Sequence, residues 1–109
     1  MSVKQRATSE IVADVNAYRA WLLALEPENF VGLTCTPCCY PVSTWLREVC
    51  GGTFQVQAQF VQCGYPSYAC VPAPSWVKQY NYTLDAQFGF VAVEVYALTA
   101  LEVLDDLAL

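Results

Sequence analysis

The chain has 109 residues, of which 56% are apolar and 14% are charged, and its 5 Lys+Arg against 10 Asp+Glu give a formal net charge of −5. The high apolar content argues against intrinsic disorder, and the negative charge argues against binding to nucleic acid or to an anionic membrane surface. A soluble globular chain averages about 25% charged residues, so the low charge predicts that another protein subunit covers part of the surface.

The length predicts a single domain over residues 1–109, because domains usually span roughly 100–200 residues. The first ten residues contain no apolar stretch, so we expect no secretory signal peptide. No uncharged apolar run approaches the roughly 18 residues of a membrane-spanning helix, so we expect no membrane span. Synthesis in the cytoplasm would keep the six cysteines reduced. A virion component is the exception, because oxidation can follow release from the cell.

Residues 9–26 predict the first helix, with Ser9 as its N-cap and Pro27 after its end. Apolar side chains recur on one face of this helix at alternating steps of four and three: Ile11, Val15, Tyr18, Leu22 and Leu25. This seam predicts a helix that packs on its own sheet, and the alternative is a helix that pairs with a second copy of itself.

The middle of the chain predicts a short strand over residues 30–34, followed by the segment Cys35-Thr-Pro-Cys-Cys39. A short helix then begins at Ser43 or Thr44 and ends at Gly51-Gly52, since glycine commonly closes helix C-termini. From Thr53 the apolar period changes to two, which predicts a strand. Its core face would hold Phe54, Val56, Ala58 and Phe60, and its other face Gln55, Gln57 and Gln59.

Residues 63–75 contain three prolines and a glycine, which predicts a long loop with Tyr65 and Tyr68 as contact residues. Residues 76–84 alternate and predict a second strand, and residues 88–98 are rich in β-branched side chains and predict a third with two apolar faces. Thr99-Ala-Leu-Glu102 fits a capping box and predicts a last helix. The fold class expected from this order is α+β: a small antiparallel sheet of three or four strands with an N-terminal helix, a short central helix and a C-terminal helix.

The chain contains no histidine. This absence excludes Ser/His/Asp and Cys/His nucleophile systems and His-ligated zinc. Gly51-Gly52 has neither the spacing of a phosphate-binding loop nor a following Lys-Ser/Thr pair. The sequence therefore predicts no catalytic residue and no cofactor.

The cysteines leave three interpretations open. Cys35-Thr-Pro-Cys38, between a strand and a helix, resembles a thioredoxin-type motif, and this resemblance implies Cys35 as the attacking thiol and Cys38 as the resolving one. A zinc or other metal site would use Cys35, Cys38, Cys63 and Cys70 as ligands, although their spacing provides only one of the two close pairs of a zinc ribbon. The favoured interpretation is that the cysteines pack as small apolar residues, with a Cys63–Cys70 disulfide as a variant in an oxidising environment.

The function expected from these observations is that of a non-enzymatic assembly subunit, which forms an obligate oligomer or part of a larger particle such as a virus or phage. The partner is a second copy or another protein subunit. Between Cys50 and Leu84 the single charged residue is Lys78, so residues 53–84 are the surface expected to be covered. The alternatives are a Cys-ligated metal-binding adaptor, a small thiol-redox protein and a small protein inhibitor. The predicted interface residues are Gln55, Gln57, Gln59, Tyr65, Tyr68, Trp76, Tyr80 and Tyr82.

Overall fold

Five helices and five strands occupy the part of the chain that the computed structural model describes, residues 8–64 and 70–107. In chain order they are α1 Thr8–Val12, α2 Val15–Leu23, β1 Phe30–Leu33, α3 Pro41–Cys50, β2 Phe54–Val56, β3 Phe60–Cys63, β4 Cys70–Pro72, α4 Ser75–Gln87, β5 Glu94–Tyr96 and α5 Ala97–Asp106. The predicted α+β class is confirmed. None of the helices in these two stretches is both long enough and apolar enough to cross a membrane.

The strands form two antiparallel sheets where a single sheet was predicted. β1 pairs with β5, which places Gly32 opposite Val95. β2, β3 and β4 form a meander, with Phe54 opposite Cys63 and Phe60 opposite Pro72. Pro72 is compatible with this ladder because β4 is an edge strand, where a missing N–H donor is tolerated.

The predicted N-terminal helix is divided in two between α1 and α2. Asp14 begins the second helix as its N-cap, and its side chain accepts a hydrogen bond from the Ala17 N–H at 3.1 Å. The predicted seam nevertheless faces the interior: Tyr18 and Leu22 are buried, and the remaining members, Ile11, Val15 and Leu25, pack against the core. The seam therefore packs against the core of its own chain, and the alternative prediction, that this face pairs with a second copy, is wrong.

An aromatic cluster forms the centre of the core. The Tyr18 ring lies 5.2 Å from that of Trp45, 5.4 Å from that of Trp76 and 5.3 Å from that of Tyr80, measured between centroids. Three buried donors of the cluster each have a hydrogen-bond partner. The Tyr18 hydroxyl donates to the Tyr80 hydroxyl at 2.8 Å, and the Tyr80 hydroxyl donates to the Ala100 carbonyl at 2.8 Å. The Trp76 indole N–H donates to the Val12 carbonyl at 2.9 Å. The cluster thereby connects the first two helices to α4 and α5 without leaving these donors unpaired.

The strand predicted over residues 76–84 is wrong, because this segment lies in helix α4. Trp76, Tyr80 and Leu84 are buried at a spacing of four, and Val77 joins them one position along. A spacing of four belongs to the face of a helix, but its members also satisfy a period of two. Pro74 precedes the helix, and its carbonyl accepts from the Val77 and Lys78 N–H groups.

The strand predicted over residues 88–98 is also wrong for most of its length. Only Glu94–Tyr96 form a strand, and α5 already begins at Ala97, so Thr99 lies inside the helix and does not cap it. The expected double cover is absent from this segment, since Phe90 and Val91 are exposed. The C-terminal helix itself is confirmed, with Ala97, Ala100, Val103 and Leu104 buried.

The strand predicted from Thr53 proves to be a hairpin. β2 ends at Val56 and β3 begins at Phe60, with a turn between them in which the Gln57 N–H donates to the Phe60 carbonyl at 2.8 Å. The turn shifts the alternation, so the core face continues through Val61 and Cys63, while Ala58 and Phe60 are exposed. The short central helix is confirmed as α3, which begins at Pro41, two or three residues before the predicted Ser43 or Thr44, and is capped by Gly51, where φ is +74°.

Candidate functional site

A cleft of about 560 Å³ lies where three segments of the chain meet. They are the segment after β1, the turn between β2 and β3, and one face of α4. Small-molecule sites commonly have volumes of about 300–1,000 Å³, so this cleft is large enough for a metabolite-sized ligand. Its lining residues are Pro37, Tyr40, Val56, Gln57, Ala58, Gln59, Lys78, Asn81, Tyr82 and Asp85.

Helix α4 contributes the polar wall of the cleft. Asn81 and Tyr82 are each three or four residues from Lys78 on one side and from Asp85 on the other, which places the four side chains on one face of the helix. The opposite face of the same helix holds Trp76 in the aromatic core. Because the core fixes the rotation of α4, the polar face is directed to the cleft.

Asp85 connects α4 to the segment after β1. One carboxylate oxygen accepts a hydrogen bond from the Cys35 backbone N–H at 2.9 Å, and the other accepts from the Tyr40 hydroxyl at 2.6 Å. Burial, together with the hydrogen bond to Asp85, raises the pKa of the Tyr40 hydroxyl, so Tyr40 is a neutral donor at physiological pH. Cys35 has a φ of +52°, a conformation that is rare for a side-chain-bearing residue, and the Asp85 carboxylate holds its N–H in that position.

Hydrogen bonds to backbone carbonyls also hold the segment after β1 against the rest of the fold. The Pro37 carbonyl accepts from the Val56 N–H at 2.9 Å and from the Ser43 hydroxyl at 3.0 Å. The Cys39 carbonyl accepts from the Leu33 N–H at 2.7 Å. This wall of the cleft is therefore bonded both to the β2–β3 hairpin and to β1.

Gly32 makes this close approach possible. A Cβ atom at Gly32 would lie 2.2 Å from the Cys39 carbonyl oxygen and 2.9 Å from the Pro41 nitrogen. Both are backbone atoms, so a side chain at this position would displace the segment itself.

Asn81 is the one buried side chain of the described residues whose polar atom is unsatisfied. Its side chain is only 9% exposed, and its Oδ1 atom has no hydrogen-bond partner within residues 8–64 and 70–107. An unpaired buried acceptor costs about 1–3 kcal/mol of stability. Buried polar groups that remain unpaired are uncommon, and this one lies on the wall of a cleft.

The cysteines are arranged differently from each pairing that the sequence suggested. Cys38 and Cys39 are joined in a disulfide between chain neighbours, so Cys38 is not bonded to Cys35. Cys63 and Cys70 are not joined to each other. Burial raises the pKa of the Cys35 thiol, and the Asp85 carboxylate raises it further, whereas an attacking thiol of the thioredoxin type requires a lowered pKa. The local electrostatics thus disfavour the chemistry that the resemblance implied.

The proposed metal ligands do not come together. Within residues 8–64 and 70–107, no three side chains of histidine, cysteine, aspartate or glutamate are placed to hold a metal ion. Cys38 is engaged in the disulfide, Cys63 is buried in β3, and Cys70 is exposed in β4.

The predicted interface residues have three different outcomes. Gln55, Gln57 and Gln59 are exposed, as expected, and so is Tyr82, which is 66% exposed. The interface prediction is wrong for Trp76 and Tyr80, because both side chains are buried in the aromatic core of their own chain and are not available to a partner. Tyr65 and Tyr68 lie outside the described residues.

The sequence interpretation missed a surface of apolar residues on the β1–β5 sheet and at the start of α5. Phe30 is 56% exposed, Tyr96 is 40% exposed and Leu98 is 51% exposed. The Phe30 and Tyr96 rings meet edge to face, with centroids 6.3 Å apart, and their residues are register partners in the sheet. We call these three residues the β1–β5 patch. The prediction that residues 88–98 form a strand with two covered faces hid the exposure of Tyr96 and Leu98.

No protein-family model matches this chain, and neither a curated protein nor a solved structure matches it.

Proposed function

We propose that the protein is a non-enzymatic assembly subunit that forms an obligate oligomer or part of a larger particle. The observation that supports this proposal is the β1–β5 patch, where Phe30 and Tyr96 are exposed register partners and the exposed Leu98 follows at the start of α5, with its N–H bonded to the Pro27 carbonyl. Clusters of exposed aromatic and aliphatic side chains are typical of protein–protein contacts, and scattered single ones are not.

The patch has the energetic potential of an interface centre. Complete burial of a large apolar side chain contributes about 1.5–3 kcal/mol relative to leaving it exposed. About half of each side chain in the patch is already covered by its own chain, so the gain on association is a fraction of this value for each residue. Three such residues together supply the apolar centre that is common in stable contacts.

The charges around the patch favour one kind of contact between copies. Glu26 and Glu28 precede Phe30, Glu94 accepts a hydrogen bond from the Tyr96 hydroxyl at 3.3 Å, and Glu102 lies one helical turn after Leu98; all four carboxylates are exposed. Two patches facing each other would bring these acidic rims together, which is unfavourable. A second copy therefore presents a different surface to the patch.

Helix α3 provides a complementary surface. Arg47 is exposed on this helix, and Val49, two residues later, is 50% exposed. Residues two apart point to different sides of a helix, so the Arg47 cation alone is the group that matches the acidic rim. A contact between the β1–β5 patch of one copy and α3 of the next is head to tail, and such contacts build rings or filaments.

The experiment is light scattering after size-exclusion chromatography over a range of protein concentrations. We expect a mass of at least twice that of one chain, and we expect the double variant Phe30→Ser/Tyr96→Ser to be monomeric. The matched control is Leu23→Ser, which removes a side chain that is 62% exposed on α2, outside both surfaces, and retains the wild-type mass. Arg47→Glu tests the second surface, since it places like charges opposite the acidic rim and should also give a monomer.

A wild-type mass of one chain at every concentration overturns the proposal. Loss of the oligomer in Leu23→Ser as well as in the double variant contradicts the assignment of the patch.

A further inference from the structure

We propose that the cleft beside α4 binds a small zwitterion of amino-acid size, whose ammonium group donates to Asn81 Oδ1 and whose carboxylate pairs with Lys78. The proposal does not depend on the assembly function, because neither Asn81 nor Lys78 belongs to the surfaces assigned to it.

The acceptor end of the cleft requires a donor. Asn81 Oδ1 has no hydrogen-bond partner within the described residues, and the side chain lines the cleft. The oxygen itself is enclosed by the protein, so it reaches a ligand by rotation of the amide, and the terminal torsion of asparagine has a broad energy profile that permits this rotation at small cost. A bound N–H group would satisfy the acceptor that the fold leaves unpaired.

The negative charge of Asp85 favours a cationic hydrogen-bond donor over a neutral one. Asp85 follows Asn81 by one helical turn and also lines the cleft. Each of its oxygens accepts one hydrogen bond, from Cys35 or from Tyr40, and a carboxylate oxygen has a second lone pair available. The negative charge therefore remains available to an ammonium group.

Lys78 excludes a simple amine as the best ligand. Its side chain is exposed at the cleft and forms no ion pair within residues 8–64 and 70–107. It precedes Asn81 by three residues, which is about 4.5 Å along the helix axis. A plain cation would be repelled by Lys78 and a plain anion by Asp85, whereas an α-amino acid has its two opposite charges close together and satisfies both ends.

The remaining walls favour an apolar side chain on that ligand. Pro37, Val56 and Ala58 provide apolar surface, and the exposed Tyr82 ring provides a face for stacking. L-phenylalanine combines an ammonium group, a carboxylate and an aromatic ring, and it is therefore the probe of choice.

The test is a titration of the ¹⁵N-labelled protein with L-phenylalanine, followed through amide chemical shifts. We expect saturable shifts in residues 35–40, 56–59 and 78–85. Phenethylamine lacks the carboxylate and N-acetyl-L-phenylalanine lacks the ammonium group, and each should bind at least about tenfold more weakly, the factor expected for one lost charge-assisted hydrogen bond.

Three variants distinguish this site from nonspecific binding. Asn81→Leu should abolish the shifts and raise the melting temperature, because leucine of similar size removes the unpaired acceptor. The control Gln79→Leu alters an exposed residue of the same helix outside the cleft and should leave the affinity unchanged. Lys78→Met should weaken L-phenylalanine by about tenfold and leave phenethylamine no weaker than with the wild type.

Absence of saturable shifts with L-phenylalanine overturns the proposal. Equal affinity for the three compounds, or wild-type affinity in Asn81→Leu, overturns it as well.

Discussion

The Tyr40 hydroxyl donates a hydrogen bond of 2.6 Å to the Asp85 carboxylate, across 45 residues of sequence. The same carboxylate holds the backbone N–H of Cys35, so a single side chain of α4 fixes both ends of the segment that forms one wall of the cleft. Helix α4 and this segment are therefore one structural unit.

Removal of the Tyr40 hydroxyl tests the contribution of this unit to stability. Hydrogen bonds to a charged group contribute about 1.5–3 kcal/mol, so we expect Tyr40→Phe to lower the free energy of unfolding by an amount in this range, measured by urea denaturation. The matched control is Tyr96→Phe, which removes an exposed hydroxyl bonded to Glu94 at 3.3 Å and should change stability by less than about 0.5 kcal/mol. Equal effects of the two variants would show that Asp85 has no special role.

The buried tyrosines predict a loss of stability at alkaline pH. Burial raises the pKa of Tyr18 and of Tyr80 above the ordinary value of about 10. Both are neutral in the folded and unfolded chains below that pH, so their contribution is fully present there. Above it the unfolded chain loses these protons first, and stability should fall by about 1.4 kcal/mol per pH unit for each group until the folded protein titrates.

The measurement is the free energy of unfolding as a function of pH between about 9 and 11, a window that begins below the ordinary tyrosine pKa. Tyr18→Phe removes one titrating group and should reduce the slope. An unchanged slope in this variant would contradict the assignment.

Gly32→Ala tests the close approach of two backbone segments. The new Cβ atom would overlap the Cys39 carbonyl, which cannot rotate away, so we expect a loss of about 1–3 kcal/mol or more in the free energy of unfolding. Gly64→Ala is the control, because its Cβ would meet the Thr53 hydroxyl, also at 2.2 Å, and that side chain can change rotamer. If Gly64→Ala costs as much as Gly32→Ala, the distinction between backbone and side-chain contact fails.

The reactivity of Cys35 tests the electrostatics of the same segment. Burial and then the Asp85 carboxylate raise the pKa of this thiol, so its alkylation at neutral pH should be slower than that of a peptide cysteine. Asp85→Asn removes the negative charge and should increase the rate. The measurement is pH-dependent alkylation quantified at Cys35 by mass spectrometry, and fast labelling at neutral pH in the wild type would instead support the thiol-redox interpretation.

Local patterns were sufficient to predict the elements whose caps and breakers are unambiguous. Gly51 closes α3 as expected, and the apolar seam of the first helix faces the core. In α4 the pattern was ambiguous for a physical reason: Trp76, Tyr80 and Leu84 are four residues apart, and every multiple of four is also a multiple of two. Pro74 before the segment favoured a helix start and was the signal that could have decided the matter.

The cleft could not be predicted from the sequence, because its walls come from three distant segments. Tyr40, Gln57 and Asp85 meet only after the meander and α4 have packed. No short sequence motif indicates that these three segments pack together. The unpaired acceptor of Asn81 is likewise a property of its surroundings, which residue type alone does not reveal.

The pairing of β1 with β5 also has a consequence for the order of events during synthesis. β1 is complete at Leu33, but its partner begins at Glu94, so about 60 residues must be translated before the first hydrogen bond of this sheet can form. The β2–β3 hairpin closes over only a few residues and can form much earlier. Until the C-terminal segment leaves the ribosome, β1 is an apolar strand without its partner, and a chain that stops before Glu94 would keep that strand available for aggregation.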